Sequence, residues 1–290
     1  MTPRPSLALI VITRNEEQLI SECLRSSSIC DEIIVVDSFS TDRTVEIALG
    51  LGARVFQRKF EGYIRQKQFA LEQATADWVL SLDADEQLTH GLRQEIEATI
   101  CGTQPAAGYK IRRILYQLDH YYARATYPDF HLRLFRRAAA KFGGIEPHGK
   151  VLVTGAVKRL RKPILHFSYA DVADHVATIN RLTTQSAAEA RYHRMTPIRM
   201  VANPAWRFFN FYLLRGGFLE GTHGLYASIA AAFYVFLKYA KVYERMLKER
   251  RIIAPNVLED HPVVYRIVTP TAPGAVPDAA PISTQTAKLP

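Results

Sequence analysis

The first hundred residues alternate between short apolar runs and longer stretches of helical composition. The clearest runs are Leu7–Thr13 (LALIVIT), Glu32–Asp37 (EIIVVD) and 78–82 (WVLSL), all without Gly or Pro. Continuous apolar, β-branched runs of this length are typical of strands that are buried on both faces of a sheet. With helices between them, they predict an α/β fold in which a mostly parallel, Rossmann-like sheet carries helices on both faces.

The stretches between these runs have the start signals of helices. Asn15 can cap the first one, because Asn accepts hydrogen bonds from the free amides at a helix N-terminus, and Glu16 and Glu17 favour the first turn electrostatically. We expect helices at 15–27, 44–49, 62–76 and 89–100, and a short third strand at 53–56.

The pattern changes after residue 108. Further runs at 109–115, 131–137, 151–154 and 164–168 predict a less regular, partly antiparallel extension of the sheet. We expect a helix at 172–193, an aromatic segment at 206–214, an uncharged segment at 224–237 and a Pro-rich tail of the disordered type. The expected organisation is a first half-domain at 1–108, a second half-domain at 109–170, a helical region at 171–268 and the tail at 269–290.

Charge is unevenly distributed along the chain, whose net charge is +9. Lys and Arg number 10 against 16 Asp and Glu over 1–108, 13 against 3 over 109–162, and 14 against 9 over 163–290. A basic middle segment suits a nucleic-acid partner, an anionic substrate or a membrane-facing surface, and charge alone does not choose among them.

The cysteines and the N-terminal segment indicate the cellular compartment in which the protein is expected. The three cysteines form no CxxC pair or Cys/His cluster, so we expect no zinc site or disulfide framework and a reducing environment. The apolar run at 7–12 is too short for a signal peptide or a membrane span. We therefore expect a cytoplasmic protein.

Polar side chains follow the predicted strands at the points where they end. Thr13 and Arg14 follow the first strand, Asp37 ends the second, and Asp83 and Asp85 follow the fourth. Ligands of parallel sheets bind beyond the carboxyl ends of the strands. Two carboxylates one residue apart favour Mg²⁺ or Mn²⁺, which prefer carboxylate and phosphate oxygens. A lone D-x-D pair is more often a solvated loop, but the strand-end position favours function.

Four ordered motifs carry a family resemblance. They are 9–17 (LIVITRNEE), 33–44 (IIVVDSFSTDRT), 63–70 (YIRQKQFA) and 78–86 (WVLSLDADE). Together they resemble the nucleotide-binding half of family 2 glycosyltransferases, which have the GT-A fold. The later segments 133–136 (RLFR), 144–151 (GIEPHGKV), 166–169 (HFSY) and 217–221 (GFLEG) are similar to the WaaE/KdtX-like transferases that extend lipopolysaccharide cores. The resemblance covers about residues 7–245.

The resemblance implies an inverting enzyme that moves a hexose, with glucose expected, from a UDP-sugar to a saccharide acceptor in the lipopolysaccharide core or another cell-envelope glycan. It also implies a role for each matching position. The nucleotide pocket would be lined by Thr13, Arg14, Asn15 and Glu17, with Asp37 binding the base and Ser38 and Asp42 shaping the adjoining turn. Lys67 would face the diphosphate or the base edge. Asp83 would reach the ribose or the metal, and Asp85 would bind Mg²⁺ or Mn²⁺.

The catalytic base is where the sequence departs from the subgroup. The histidine that matches His148 is commonly followed by an acidic residue, but here Gly149 follows it. Three replacements are within reach: Asp129, Glu146 and His148 itself. We expect Asp129 first, because a carboxylate is the usual base and a neighbouring arginine would keep it ionised. The alternative for Asp129 is a turn cap after Pro128.

The basic segment 109–162 is expected to receive an anionic glycan or glycolipid acceptor. The uncharged segment 224–237 is followed by Lys238 and Lys241, which suits a peripheral helix on an anionic inner membrane leaflet. The alternative is a buried core helix.

Two other functions and four other interpretations of residues stay open at this point. A sugar-phosphate nucleotidyltransferase usually carries a Gly-rich loop after the first strand, where this chain has TRNEE. A non-enzymatic nucleic-acid-binding protein would leave the acidic strand ends without purpose, so we expect no nucleic-acid partner. Asp37 and Asp42 could simply cap turns, and Lys67 could be a solvated helix residue. Arg133, Arg136 and Arg137 could form a solvated strand face, and His166 could be a satisfied core histidine.

Overall fold

The sheet of the computed structural model begins as the sequence predicts and then becomes mixed. The structure describes residues 4–124, 129–144, 149–189 and 197–253. The strands are β1 (Leu7–Thr13), β2 (Glu32–Asp37), β3 (Arg54–Gln57), β4 (Trp78–Asp83), β5 (Glu86–Leu88), β6 (Gly108–Gln117), β7 (His120–Tyr122), β8 (Phe130–Arg136), β9 (Ala140–Gly143), β10 (Lys150–Val153), β11 (Val157–Arg159) and β12 (Ile164–His166). The helices are α1 (Ile20–Ser26), α2 (Thr44–Gly50), α3 (Tyr63–Gln73), α4 (His90–Ile100), α5 (Val172–Glu189), α6 (Pro197–Phe209) and α7 (Gly221–Ile253).

Strand pairing explains how one sheet carries both halves of the fold. The strand order is β3-β2-β1-β4-β8-β6-β12-β5, with β7 and β11 also paired to β6. Strands β1 to β4 are mutually parallel, whereas β8 runs antiparallel to both β4 and β6. A separate hairpin pairs β9 with β10. The expected parallel first half and partly antiparallel extension are both confirmed.

Alternation along β1 divides the core between the two faces of the sheet. Leu7, Leu9 and Val11 pack with buried residues of α1, α2 and α4. Ala8 and Ile10 pack on the opposite face with buried residues of α3. Each large aliphatic side chain buried in this way contributes about 1.5–3 kcal/mol to folding. The predicted helices on both faces are confirmed.

The first helix differs from its prediction. It begins at Ile20, with Leu19 at the N-cap position, and not at Asn15. Asn15 has a left-handed backbone with φ 56°, and its side-chain oxygen accepts a hydrogen bond from the Thr41 amide. The local capping signal was therefore wrong, because this Asn binds a neighbouring loop and not the helix that follows it.

The C-terminal region is helical, as expected. A π-helical turn at Asn210–Leu214 and a 3-10 turn at Gly217–Glu220 connect α6 to α7. By its internal contacts the chain divides into Met1–Arg245 and Met246–Pro290. The expected boundaries at 108 and 170 fall within the first unit, and the tail 269–290 lies outside the described residues.

One segment among the described residues is long and apolar enough to cross a membrane, namely Gly217–Lys248. Only 17% of its most apolar window is buried. A single helix of this kind says little by itself, because core helices of soluble proteins share its length and composition.

Candidate active site

Two loops at the ends of β1 and β2 are tied together by hydrogen bonds. The Glu16 amide donates to Thr44 Oγ1 at 2.7 Å, and the Thr41 amide donates to Asn15 Oδ1 at 2.8 Å. The Asn15 amide in turn donates to Ser40 Oγ at 2.8 Å. These bonds fix the backbone that follows the first strand against the turn that follows the second.

Acidic side chains add further hydrogen bonds between the same two loops. Asp42 accepts from the Glu17 amide at 3.1 Å, and Glu17 accepts from the Arg43 amide at 3.0 Å. Burial, which raises the pKa of Asp42, is outweighed by hydrogen bonds from Thr44, so the pKa is lowered. The side chains of Asn15, Glu17 and Asp42 therefore hold the two loops together.

A cavity of about 630 Å³ opens beyond these strand ends. Five of the residues expected at the donor site line it: Thr13, Arg14, Ser38, Asp83 and Asp85. Its other lining residues are Ile12, Glu16, Phe60, Tyr63, Ala84, His166, Arg181 and Gln185. The position agrees with the rule that ligands of parallel sheets bind beyond the carboxyl ends of the strands.

The floor of this cavity carries oxygen atoms suited to a polar ligand. Thr13 Oγ1 is buried and has no hydrogen-bond partner among the residues that the structure describes. Ser38 Oγ accepts from Gln66 Nε2 at 3.1 Å. Asp37 is fully buried and accepts from the Ser40 amide at 2.9 Å, from Ser40 Oγ, and from Gln57 Nε2 at 3.3 Å. A carboxylate has about four lone-pair positions, so these three bonds leave about one of them free.

A partly buried network of ion pairs runs from this cavity into the mixed half of the sheet. Asp83 pairs with Lys67 Nζ at 2.6 Å and with Arg133 at 2.6 Å. Arg133 also pairs with Glu86, which lies 3.4 Å from Arg113. Arg113 in turn binds Asp129 at 2.8 Å. We call this set the charge network, and its members are Lys67, Asp83, Glu86, Arg113, Asp129 and Arg133.

Two cations of the charge network keep Asp83 ionised. Burial alone would raise the pKa of Asp83, but the Arg133 guanidinium and the Lys67 ammonium hold it well below its usual range. The side chains of Lys67 and Arg133 are only 18% and 8% exposed. The alternatives of a solvated Lys67 and a solvated face at Arg133 are therefore wrong.

Asp85 faces the cavity from the turn after β4. Its Oδ2 lies 3.0 Å from His166 Nε2, and the His166 ring also contacts Ser168 Oγ. His166 is therefore a cavity residue and not a core histidine. The described residues contain no group of three His, Cys, Asp or Glu that would hold a metal alone.

The carboxylates of Asp83 and Asp85 nevertheless suit a divalent ion that a bound ligand also coordinates. Mg²⁺ is commonly bound by one or two carboxylates together with substrate phosphates, while water fills the remaining positions. Asp85 supplies an accessible carboxylate, and Asp83 a second whose oxygens the charge network already engages. The site thus suits a metal that is completed by a diphosphate.

Glu16 carries a strongly perturbed carboxyl group on the cavity wall. Burial, followed by the charges of Asp85 and Asp42, raises its pKa from 4.5 to about 7. From the sequence, Glu16 is expected in the first turn of the first helix, but it lies on the cavity wall before that helix begins at Ile20.

Three further residues of the site were missed by sequence reasoning. Arg181 and Gln185 reach the cavity from α5, about a hundred residues after the DADE motif, and no local pattern points to them. Glu86 had a signal, because it directly extends the acidic pair.

Of the three candidate bases, Asp129 is the one that lies within the described residues. Asp129 accepts from Arg113, and its Oδ1 lies 2.6 Å from His131 Nε2. Burial raises its pKa, but these two neighbours hold it well below its usual range. Glu146 and His148 lie outside the described residues. Gly149, which follows them, lines a smaller cavity of about 240 Å³ together with Lys67 and Asp83.

Comparison with known proteins decides the family. The profile of "Glycosyl transferase family 2" matches residues 8–160, more than half of the chain. The chain belongs to this family. An uncharacterized glycosyltransferase of Rickettsia conorii is 30% identical over 268 residues, which cover 87% of this chain and 95% of that protein.

Two further similarities concern a named relative and a solved structure. The lipopolysaccharide core biosynthesis glycosyltransferase LpsC of Rhizobium meliloti is 29% identical over 267 residues, covering 89% of this family 2 chain and 98% of LpsC. The mannosyltransferase PcManGT of Pyrobaculum calidifontis, solved with GDP-Man and Mn²⁺, superposes with a TM-score of 0.49 at 19% identity, covering 83% of this chain and 88% of that one. Family membership makes this chain a glycosyltransferase, in preference to a nucleotidyltransferase or a nucleic-acid-binding protein.

Proposed function

We propose that this family 2 enzyme is an inverting hexosyltransferase that moves glucose from UDP-glucose to a saccharide of the lipopolysaccharide core or another cell-envelope glycan. The observation that carries the proposal is the cavity at the strand ends, where Asp83, Asp85 and Arg14 meet. The similarity to LpsC along nearly the whole chain supports the acceptor class.

The donor is proposed to lie across the ends of β1, β2 and β4. Thr13 Oγ1 and the remaining lone pair of Asp37 would accept hydrogen bonds from the nucleoside. Arg14 and Arg181, at the cavity wall, would face the diphosphate, since guanidinium groups bind phosphate oxygens in a bidentate manner.

Asp85, with Asp83 behind it, would hold Mg²⁺ or Mn²⁺. When bound, such an ion supplies Lewis-acid stabilisation for the leaving diphosphate. Lys67 and Arg133 keep Asp83 ionised and fixed in place. The charge network thereby orients the turn that carries Asp85.

For the catalytic base we propose the loop that contains Glu146 and His148 ahead of Asp129. A general base works best when its pKa lies near the operating pH, whereas the pKa of Asp129 is held far below it. Gly149, which directly follows His148 in the chain, lines the smaller cavity beside Asp83, and this supports the proposal. Glu146→Gln or His148→Ala should therefore lower turnover by about a hundredfold or more, and Asp129→Asn by less.

The enzyme is further proposed to be cytoplasmic and to work on an anionic acceptor at an anionic membrane surface. The excess of Lys and Arg over 109–162, 13 against 3, supports an anionic acceptor. The apolar, poorly buried helix α7 supports the membrane surface.

Asp85→Asn tests the proposed donor site. We expect transfer to fall more than about a hundredfold, since metal stabilisation of a leaving group contributes several kcal/mol. We also expect Mn²⁺ no longer to strengthen UDP binding in calorimetry. Asp119→Asn in the exposed β6–β7 turn is the matched control. A panel of UDP-, GDP- and dTDP-hexoses identifies the donor, and preference for a GDP-sugar would contradict the proposal.

A further inference from the structure

Helices α6 and α7 leave an unusual number of large apolar side chains in water. Ile198, Val201 and Trp206 of α6 are 76%, 71% and 61% exposed. Others on the same helices and their connection include Phe209, Leu213, Leu214, Phe218, Leu219, Ile229, Phe233 and Phe236. Runs of exposed apolar side chains of this size mark interaction surfaces in soluble proteins.

An apolar groove of about 390 Å³ lies between these two helices. Its walls carry no charged side chain. They are formed by Met200, Val201 and Pro204 from α6 and by Ile229, Ala232, Phe233 and Phe236 from α7. All the side chains that line the groove are apolar, so they suit contact with hydrocarbon chains.

A cationic cavity of about 490 Å³ is lined by the same two helices and the connection between them. The lining residues are Asn203, Trp206, Arg207, Asn210, Arg215, Val235, Lys238 and Tyr239. Three cations, two amides and two aromatic rings therefore line one cavity.

The two arginines of the cavity are held close together. Arg207 and Arg215 both lie over the ring of Phe211, at 5.3 and 4.3 Å from its centre. Arg215 Nε also donates to Asn210 Oδ1 at 2.9 Å. Burial and the charge of Arg207 lower the pKa of Arg215.

No carboxylate balances this pair of charges. Among the described residues, no ion pair joins either arginine to Asp or Glu. The π-helical turn Asn210–Leu214, a kind of distortion frequent at functional sites, places Asn210 in the same cavity. Like charges fixed side by side at a cavity wall are stabilised by a bound anion.

We propose that the cationic cavity binds the phosphate group of an anionic phospholipid, so that α6 and α7 rest on a bilayer whose acyl chains cover their exposed apolar side chains. The segment 197–253 carries 9 Lys and Arg against 3 Asp and Glu, which complements an anionic surface and opposes pairing with a second copy. A soluble phosphate would leave Ile198, Val201 and Trp206 in water, whereas a bilayer covers them. This inference deepens the membrane location proposed above and is independent of the chemistry at the donor cavity.

Flotation of the full-length protein with phosphatidylcholine vesicles that contain phosphatidylglycerol tests the proposal. We expect binding at low salt, and about 25-fold weaker partition for Arg207→Gln/Arg215→Gln, at about fivefold per cation near an anionic surface. The matched control Arg25→Gln/Arg161→Gln removes two exposed cations elsewhere and should bind as the unchanged protein does. Trp206→Ser should weaken binding to the same vesicles without changing the net charge.

Other outcomes would overturn the proposal. Absence of binding to the anionic vesicles at low salt would contradict the membrane contact, and equal losses in both double variants would contradict the cavity. Full competition by millimolar inorganic phosphate at constant ionic strength would assign the cavity to a soluble anion. Transfer to a water-soluble acceptor, measured in the same variants, should be unchanged, so failure here is distinguishable from failure of the proposed activity.

Discussion

Arg133 connects the carboxylates of Asp83 and Glu86 within the charge network. Its guanidinium binds Asp83 at 2.6 Å and Glu86, whose side chain is fully buried. Removing one partner of a buried ion pair leaves an uncompensated charge and costs about 3–5 kcal/mol. We expect Arg133→Met to lower the free energy of unfolding by about 3 kcal/mol, since Lys67 and Arg113 still contact the two acids. Urea denaturation measures this loss.

The matched control for Arg133→Met is Arg136→Met on the exposed end of the same strand. It should cost less than about 1 kcal/mol, as surface substitutions do. Adding Glu86→Gln to Arg133→Met should recover part of the loss, because one of the two uncompensated charges disappears. Equal losses for the two single variants would show that the charge network contributes nothing specific.

Glu16 should make stability depend on pH. Its pKa rises from 4.5 to about 7 on folding, so the folded state favours the protonated form. Its contribution to stability is complete below about pH 4.5 and is lost as the pH rises through 7. Glu16→Gln cannot ionise, and we expect its advantage over the unchanged protein to grow by about 1–2 kcal/mol between pH 5 and 8, after allowance for solvent screening.

Urea unfolding of both proteins at the two pH values, in chelator, tests the Glu16 prediction. Glu72→Gln on the exposed side of α3 is the control for loss of a carboxylate. A Glu16→Gln difference that is the same at pH 5 and pH 8 would mean that Glu16 is not desolvated.

At the scale of elements, helix α4 is capped by the residue that precedes it. Thr89 is its N-cap, and its Oγ1 accepts from the Leu92 amide at 3.2 Å and donates to the Pro163 carbonyl at 3.0 Å. Loss of such a cap costs about 1 kcal/mol. We expect Thr89→Ala to lose this amount in urea denaturation and Thr89→Ser to retain most of it. An Ala variant as stable as the Ser variant would contradict the capping role.

For the molecule as a whole, the basic middle segment should not make the protein a nucleic-acid binder. Two of its arginines, Arg113 and Arg133, are paired inside the charge network, so fewer cations are available than the sequence suggests. We expect only weak binding to random duplex DNA, falling steeply between about 50 and 200 mM salt because counterion release drives it. Fluorescence anisotropy measures this, and tight binding that persists at physiological salt would refute the expectation.

The parallel strands β1 to β4 could be predicted from the sequence alone, because each is specified by its own residues. The runs that became β1, β2 and β4 are apolar on both faces, and only a covered parallel sheet buries them fully. The strand-end positions of Thr13, Asp37 and Asp83 follow from the same pattern. The family motifs added the chemistry that residue types by themselves could not name.

Tertiary structure decided the features that depend on contacts between distant residues. Asn15 does not cap a helix, because its amide and its side chain bind Ser40 and Thr41 in the loop after β2. Arg133 is buried because β8 pairs with β4. Arg181 reached the cavity through the packing of α5, which no local pattern specifies. Periodicity reports which face of an element is apolar. It does not report which distant carboxylate, carbonyl or ring will lie opposite that face, and at this site such neighbours determine which side chains are paired and which remain available to a ligand.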